Sequence, residues 1–156
     1  FKSVIAKPLK KNGKILSSTI VRKNIAMGRI RKANNLLGRK WTISGKVIQG
    51  DKRGKKIGFP TCNIVPNDYI VPKLGVYSVS VKSSNFKRRG IANIGYRPTF
   101  NGKKLLLEVN IFGIKKNLYK KDIDVTFLKF IRSERKFKSI NELKKQIKKD
   151  IKRAKN

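Results

Sequence analysis

The sequence predicts a mainly β fold, an antiparallel barrel or sandwich of about six short strands followed by one long helix. Three observations lead there. From Trp41 onward, apolar and polar residues alternate in short runs. Turn signals such as QGDKRGKK, VPND and FNGKK separate those runs. After Ser139 the apolar spacing changes to that of a helix.

Taken in order, residues 17–38 read as helical. SSTIVRKNIAMG offers a Ser/Thr start with Val21 and Ile25 at helical spacing. RIRKANNLLG continues with Ile30, Ala33 and Leu37, and Gly38 suits a C-terminal cap. The main boundary falls near residues 39–41, so residues 1–40 read as the tail of something upstream; an opening Phe1 in place of Met fits a piece of a longer product. The first strand carries Trp41, Ile43, Gly45 and Val47 on one face, and TCNIV is a second apolar run. GVYSVSVKS alternates Tyr77, Val79 and Val81, and GIANIG is a fourth run. KLLLEVNIF sets Leu105, Leu107, Val109 and Ile111 opposite Leu106, Glu108, Asn110 and Phe112. IDVTFLKFI alternates Ile123, Val125 and Phe127. Ser139 and Glu142 form a capping box, after which Ile140, Leu143, Ile147, Ile151 and Ala154 make an apolar stripe for the barrel wall.

Composition narrows the chemistry. The 156 residues suffice for one domain with a real core. No apolar run would cross a bilayer and none resembles a secretory signal, so the expectation is a cytoplasmic protein. There is no histidine, which excludes Ser-His-Asp and Cys-His catalysis and histidine-ligated zinc. The single cysteine, Cys62, excludes an internal disulfide. Any general base must come from carboxylates, Lys, Tyr or Cys, and only 8 residues are Asp or Glu. The net charge of +33 is scattered along the whole chain, with its densest cluster on the last helix. It implies non-specific polyanion binding at low salt, and leaves a basic nucleic-acid-binding barrel as a rival reading.

Four constellations can carry chemistry. GDKRGKKIG is glycine-rich and basic and joins two predicted strands; its amides could approach an anion, or it could be a solvated hairpin loop. In PTCN, Thr61 and Asn63 point to one side of a strand and offer two neutral oxygens, suited either to a phosphate-held Mg²⁺ or to nearby backbone groups. Glu108 sits in an apolar strand, facing solvent or serving as a base. Arg132, Arg135 and Phe137, between the last strand and the helix, suit a flat anionic ligand, or form a surface loop with Phe137 under the helix.

Together, GKVIQGDKRGKKIGFPTCNI, LGVYSV, NIGYRPTF, LEVNIF, LYKKDIDVTFLKFIRSERKF and LKKQIKKDI, in that order, resemble the riboflavin kinase family over residues 41–154. Upstream, LSSTIVRKNIAMGRIRKANNLLGRKWTISGKV resembles the junction of bacterial bifunctional riboflavin kinase/FAD synthetases. The resemblance implies a six-stranded antiparallel Greek-key barrel with a C-terminal helix, a kinase domain at 41–156, and at 1–40 the remnant of an FAD synthetase domain. It implies transfer of the ATP γ-phosphoryl group to the ribityl 5′-hydroxyl of riboflavin, giving FMN, in the presence of Mg²⁺. By position, it implies Glu108 as base and Thr61 and Asn63 at the metal. It places Gly50, Lys55, Ile111 and Tyr119 at the nucleotide, and Arg132, Arg135 and Phe137 over the flavin. An inactive flavin-binding relic would keep the same motifs. Three positions depart from the family pattern: Cys62 replaces a small Ala, Asn110 a His, and Lys120 a Gly. If the turn at Lys120 needs a positive φ, the lysine is strained there.

Overall fold

The alternating runs form one antiparallel sheet curled into a nearly closed barrel. The computed structural model describes residues 17–99, 102–114 and 116–156 in full, and the backbone alone at 10–11 and 14–15. The turn expected at Phe100 and Asn101 lies outside the described residues. A short hairpin of β1 (Lys10–Lys11) and β2 (Lys14–Ile15) precedes helices α1 (Ser18–Ala26) and α2 (Ile30–Leu37). Ser17 caps α1, accepting from Ile20 N at 3.3 Å, and Gly38 ends α2 at φ 67°, as expected.

The barrel strands are β3 (Thr42–Lys46), β4 (Cys62–Ile64), β5 (Gly75–Ser83), β6 (Phe86–Thr99), β7 (Gly102–Ile111) and β8 (Asp122–Ser133). One helical turn, α3 (Arg53–Lys56), lies between β3 and β4, and α4 (Ile140–Lys155) follows β8. The strand order is β3-β8-β5-β6-β7-β4, and a bridge between Ile48 and Asn63 draws the two edges together. Because β8 returns beside β5 and not β7, the core of the sheet is a Greek key. The basic segment is therefore not a hairpin loop. It joins the two opposite edges of the sheet, since β3 pairs with β8 and β4 with β7.

Inside, Ile43, Ile64, Tyr77, Val79, Val81, Ile94, Leu107, Val109, Ile123, Val125 and Phe127 fill the barrel. Trp41 and Tyr77 pack on Phe127, with ring centroids 4.7 and 5.0 Å away. Helices α1 and α2 add Ile25, Ile30 and Ala33 to the same core. Asn34 locks α2 to the barrel by donating to Phe127 O at 3.1 Å and accepting from Trp41 N at 2.7 Å.

Helix α4 lies on the outer face, where Ala154, Ile147 and Ile151 meet Val76, Ile91 and Ile131. Ser139 accepts from Glu142 N at 3.2 Å, and Glu142 in turn accepts from Lys138 N at 3.1 Å, one residue further out than a capping box predicts. Arg89 donates to the last carbonyls, Ala154 O and Lys155 O. The stripe differs from expectation in two ways. Ile140, the first residue of the helix, is exposed. Gln146 and Asp150 are buried in its place, because arginines from β8 and the following loop reach under the helix to meet them.

Candidate active site

One row of residues crosses the sheet on its outer face. Residues directly opposite each other on antiparallel strands share a face. Asn63 on β4 is opposite Glu108 on β7, which is opposite Asn93 on β6. Asn93 is opposite Val76 on β5, and a register shift in β8 brings Arg132 opposite Val76. One position along, Ile64, Leu107 and Ile94 make the matching row inside the barrel.

Two cavities open beside the outer row. The first, about 640 Å³, takes in Glu108, Asn93 and Arg97 from the sheet, and Arg132, Arg135 and Phe137 from the end of β8 and the loop after it. The second, about 740 Å³, takes in Lys55, Ile111 and Tyr119. Gly50, Thr61 and Asn63 line both, so they form a common wall. Every residue that the resemblance put at the base, metal, nucleotide or flavin thus lines one of two adjoining cavities. They divide into a Glu108 side and a Lys55 side.

The common wall has a specific feature. Asn63 is buried, and its Oδ1 has no hydrogen-bond partner. An orphaned carbonyl oxygen inside a protein is costly unless something else binds it. Its fit depends on Gly50, where a Cβ would collide with Asn63 Nδ2. Thr61, two residues away, is exposed. Among the described residues no cluster of three or more His, Cys, Asp or Glu could hold a metal. The oxygens of Thr61 and Asn63 fit a cation that arrives already held by phosphate oxygens.

On the first cavity, Glu108 is not a lone carboxylate. Arg97 Nη2 donates to Glu108 Oε2 at 2.6 Å, and Arg97 Nη1 donates to Glu134 Oε1 at 3.1 Å. Asn93 Nδ2 also donates to Glu134 Oε1, at 3.0 Å. Burial pulls the Arg97 guanidinium down, but its bonds to Glu108 and Glu134 more than offset this and leave it held above its ordinary value. On the other wall Arg132 donates to Asp150 Oδ2 at 2.9 Å, Gln146 donates to Asp150 Oδ1 at 2.7 Å, and Arg135 donates to Gln146 Oε1 at 2.6 Å. Both guanidiniums lie over Phe137, 4.7 Å from its centroid for Arg135 and 5.7 Å for Arg132. Arg132 belongs to β8 itself, not to the loop, because the strand runs on to Ser133.

Sequence reasoning missed Asn93, Arg97, Glu134, Gln146 and Asp150. Two of these are among the 8 acidic residues, and that scarcity was the available signal. The departures also find their places. Asn110 Nδ2 donates to Pro60 O at 2.7 Å and so ties β7 to the entry of β4. Lys120 does adopt a positive φ, 65°, in the turn after Tyr119. The half-buried Cys62 thiol is pushed up to about 11 by burial, which makes it inert near neutral pH.

Comparison with known proteins gives one consistent family. A sequence profile described as Flavokinase: Riboflavin kinase matches residues 37–156. The chain is 44% identical over 150 residues to the bifunctional riboflavin kinase/FMN adenylyltransferase of Bacillus subtilis (strain 168), covering 94% of this chain and 48% of that protein. Against the protein of the same name from Haemophilus influenzae (strain ATCC 51907 / DSM 11121 / KW20 / Rd) it is 45% identical over 141 residues, covering 90% and 46%. The chain spans about half the length of these relatives. A crystal structure of a macrolide-efflux protein from Streptococcus pneumoniae superposes with TM-score 0.89 at 36% identity, over 98% of this chain and 51% of that one. The riboflavin kinase of Trypanosoma brucei shares the fold, with TM-score 0.53 at 21% identity over 73% of this chain and 76% of that one. The chain belongs to the riboflavin kinase family.

Proposed function

We propose that this domain transfers the γ-phosphoryl group of Mg-ATP to the 5′-hydroxyl of riboflavin, giving FMN and ADP. The observation that most supports this reading is the common wall. Two cavities meet at Thr61 and Asn63, with an unpartnered buried oxygen there and a carboxylate, Glu108, opposite Asn63 on the next strand. Two substrates meeting at one wall is what an in-line transfer requires.

In this reading riboflavin occupies the first cavity, and the guanidiniums of Arg132 and Arg135 with the Phe137 ring hold the flat isoalloxazine. The nucleotide occupies the second, flanked by Lys55, Ile111 and Tyr119, with the backbone at Gly50 near its phosphates. Thr61 and Asn63 would hold the Mg²⁺, which when bound neutralises charge on the β- and γ-phosphate oxygens. Glu108 accepts the proton of the 5′-hydroxyl through the oxygen that Arg97 leaves open. The 5′-oxygen forms the new P–O bond as the bond to the β–γ bridging oxygen breaks, and ADP carries that electron pair away. Closure of the loop after β8 would exclude water, limiting ATP hydrolysis. In a full-length protein, residues 1–40 would be the end of an FAD synthetase domain that adenylylates FMN, with residues 41–156 as the kinase.

The test is FMN formation from riboflavin and ATP, with and without Mg²⁺, read by chromatography. Metal-dependent FMN supports the assignment. Flavin binding by fluorescence quenching without FMN would reduce the chain to a flavin-binding relic. Neither would return the basic nucleic-acid-binding barrel to the front.

A further inference from the structure

Arg97 lies between two carboxylates that belong to different parts of the molecule. Glu108 is on β7 inside the sheet, and Glu134 is the first residue after β8, between the arginines that line the flavin side. The Glu134 carboxylate sits in a shaped notch. Asn93 and Arg97 donate to its Oε1 at 3.0 and 3.1 Å, and Gly95 leaves the space that it fills, since a Cβ there would collide with that oxygen. The chain around Glu134 is otherwise fastened to α4, through Arg132 to Asp150 and Arg135 to Gln146. Among the described residues, the Glu134 carboxylate is thus the side-chain tie from this loop to β6.

We infer that Arg97 is a positioning residue that couples the seating of this loop to the availability of Glu108; the inference rests on the proposed role of Glu108. A guanidinium has donors enough to grip one carboxylate with both edges. With Glu134 seated, Arg97 gives Nη1 to the loop and to Tyr96 O, each at 3.1 Å, and only Nη2 to Glu108, so Glu108 Oε1 carries no hydrogen bond among the described residues. With Glu134 lifted, Nη1 keeps its bond to Tyr96 O, and its second hydrogen is released to join Nη2 on Glu108, which occupies the oxygen needed for the hydroxyl proton. The loop that covers the flavin thereby switches the base on. All three side chains are about one-third exposed, so the pairs are weak enough to open and re-form during turnover. The coupling is reciprocal: removing the charge of Glu108 leaves Arg97 to Glu134 and tightens the loop.

Two measurements on the purified chain test this. The first is hydrogen exchange of the amides of residues 134–138 without ligand. Glu108→Gln should slow that exchange, and Arg97→Lys should speed it, each by severalfold. A lysine keeps the charge but cannot bridge two carboxylates. Unchanged exchange in both variants overturns the coupling, whatever the reaction. The second is single-turnover FMN formation with riboflavin binding measured alongside. Glu134→Gln and Arg97→Lys should each lower the rate about tenfold while flavin affinity stays within about threefold, and the double variant should be no slower than either single. Effects that multiply, or a Glu134→Gln loss confined to flavin affinity, overturn it. If the wild-type chain makes no FMN yet the exchange responds as expected, the coupling stands and the kinase reading falls.

Discussion

The two faces of the barrel wall are made from the same strands and differ in everything else. On β7, Leu107 and Val109 are at most 1% exposed and belong to the apolar core, whereas Glu108 between them meets Arg97, and Asn110 beyond meets Pro60. The inner row Ile64–Leu107–Ile94 and the outer row Asn63–Glu108–Asn93 are one residue apart at every strand. The period of two that packs the core therefore also aligns the site. A slip of one residue would bury Glu108 in the core and expose Leu107. The inner face thus enforces the register on which the outer face depends. Along Leu107–Asn110, stability and chemistry should separate by residue parity; Ile111, a core residue that also lines the second cavity, is where the two meet.

The largest expected effect tests the outer face. Glu108→Ala should lower kcat for FMN formation on the order of a thousandfold, with riboflavin affinity and unfolding midpoint nearly unchanged. A near-wild-type kcat would remove Glu108 as the base. Next, Leu107→Ala should cost roughly 3 kcal/mol in urea unfolding by creating a cavity, while the folded fraction keeps its kcat. A selective loss of kcat without a loss of stability would show that the faces are not separable. Third, Asn63→Ala should lower kcat/KM for Mg-ATP about tenfold and move the melting temperature by less than about 2 °C, because it removes an oxygen that has no partner. An unchanged Mg²⁺ dependence would count against Asn63 at the metal. The smallest effect lies outside both faces. Lys120→Gly should raise stability by about 0.5 kcal/mol, since glycine relieves the positive φ at the expense of chain entropy and the Lys120–Tyr119 contact. No gain in the urea midpoint would mean that the turn holds lysine without strain.

Much of the fold was readable because its signals are local. Alternation placed the strands, Ser139 placed the start of α4, and Gly38 placed the end of α2. The pairing of the strands was not local. Nothing near residues 49–56 says that β3 will bond to β8 and β4 to β7, so a hairpin loop stood as one of two readings of a glycine-rich turn between two strands. The site divided in the same way. Glu108, Thr61 and Asn63 stood out as polar residues in short apolar runs, and their motifs carried the family resemblance. Arg97 did not stand out, because its role comes from the β6–β7 register and from a loop 37 residues downstream. Gln146 and Asp150 were hidden for another reason. They share a face of α4 with Leu143 and Ile147, and an apolar stripe drawn on a helix passes over polar residues that are buried by partnering.

The place of β8 in the sheet has a consequence for how the chain comes off the ribosome. The last of the six strands to be synthesised lies between β3 and β5, so it is an interior strand of the finished sheet. The β5–β6–β7 meander can assemble as it emerges, but β3, made first of the six, has no strand to pair with until Asp122–Ser133 has been released. The nascent domain must wait with two strand edges bare, the condition in which growing chains stick to one another. Basic residues are scattered along the whole chain, so two such nascent chains repel one another. The order of strands in the sheet thus sets the order in which its edges can be covered.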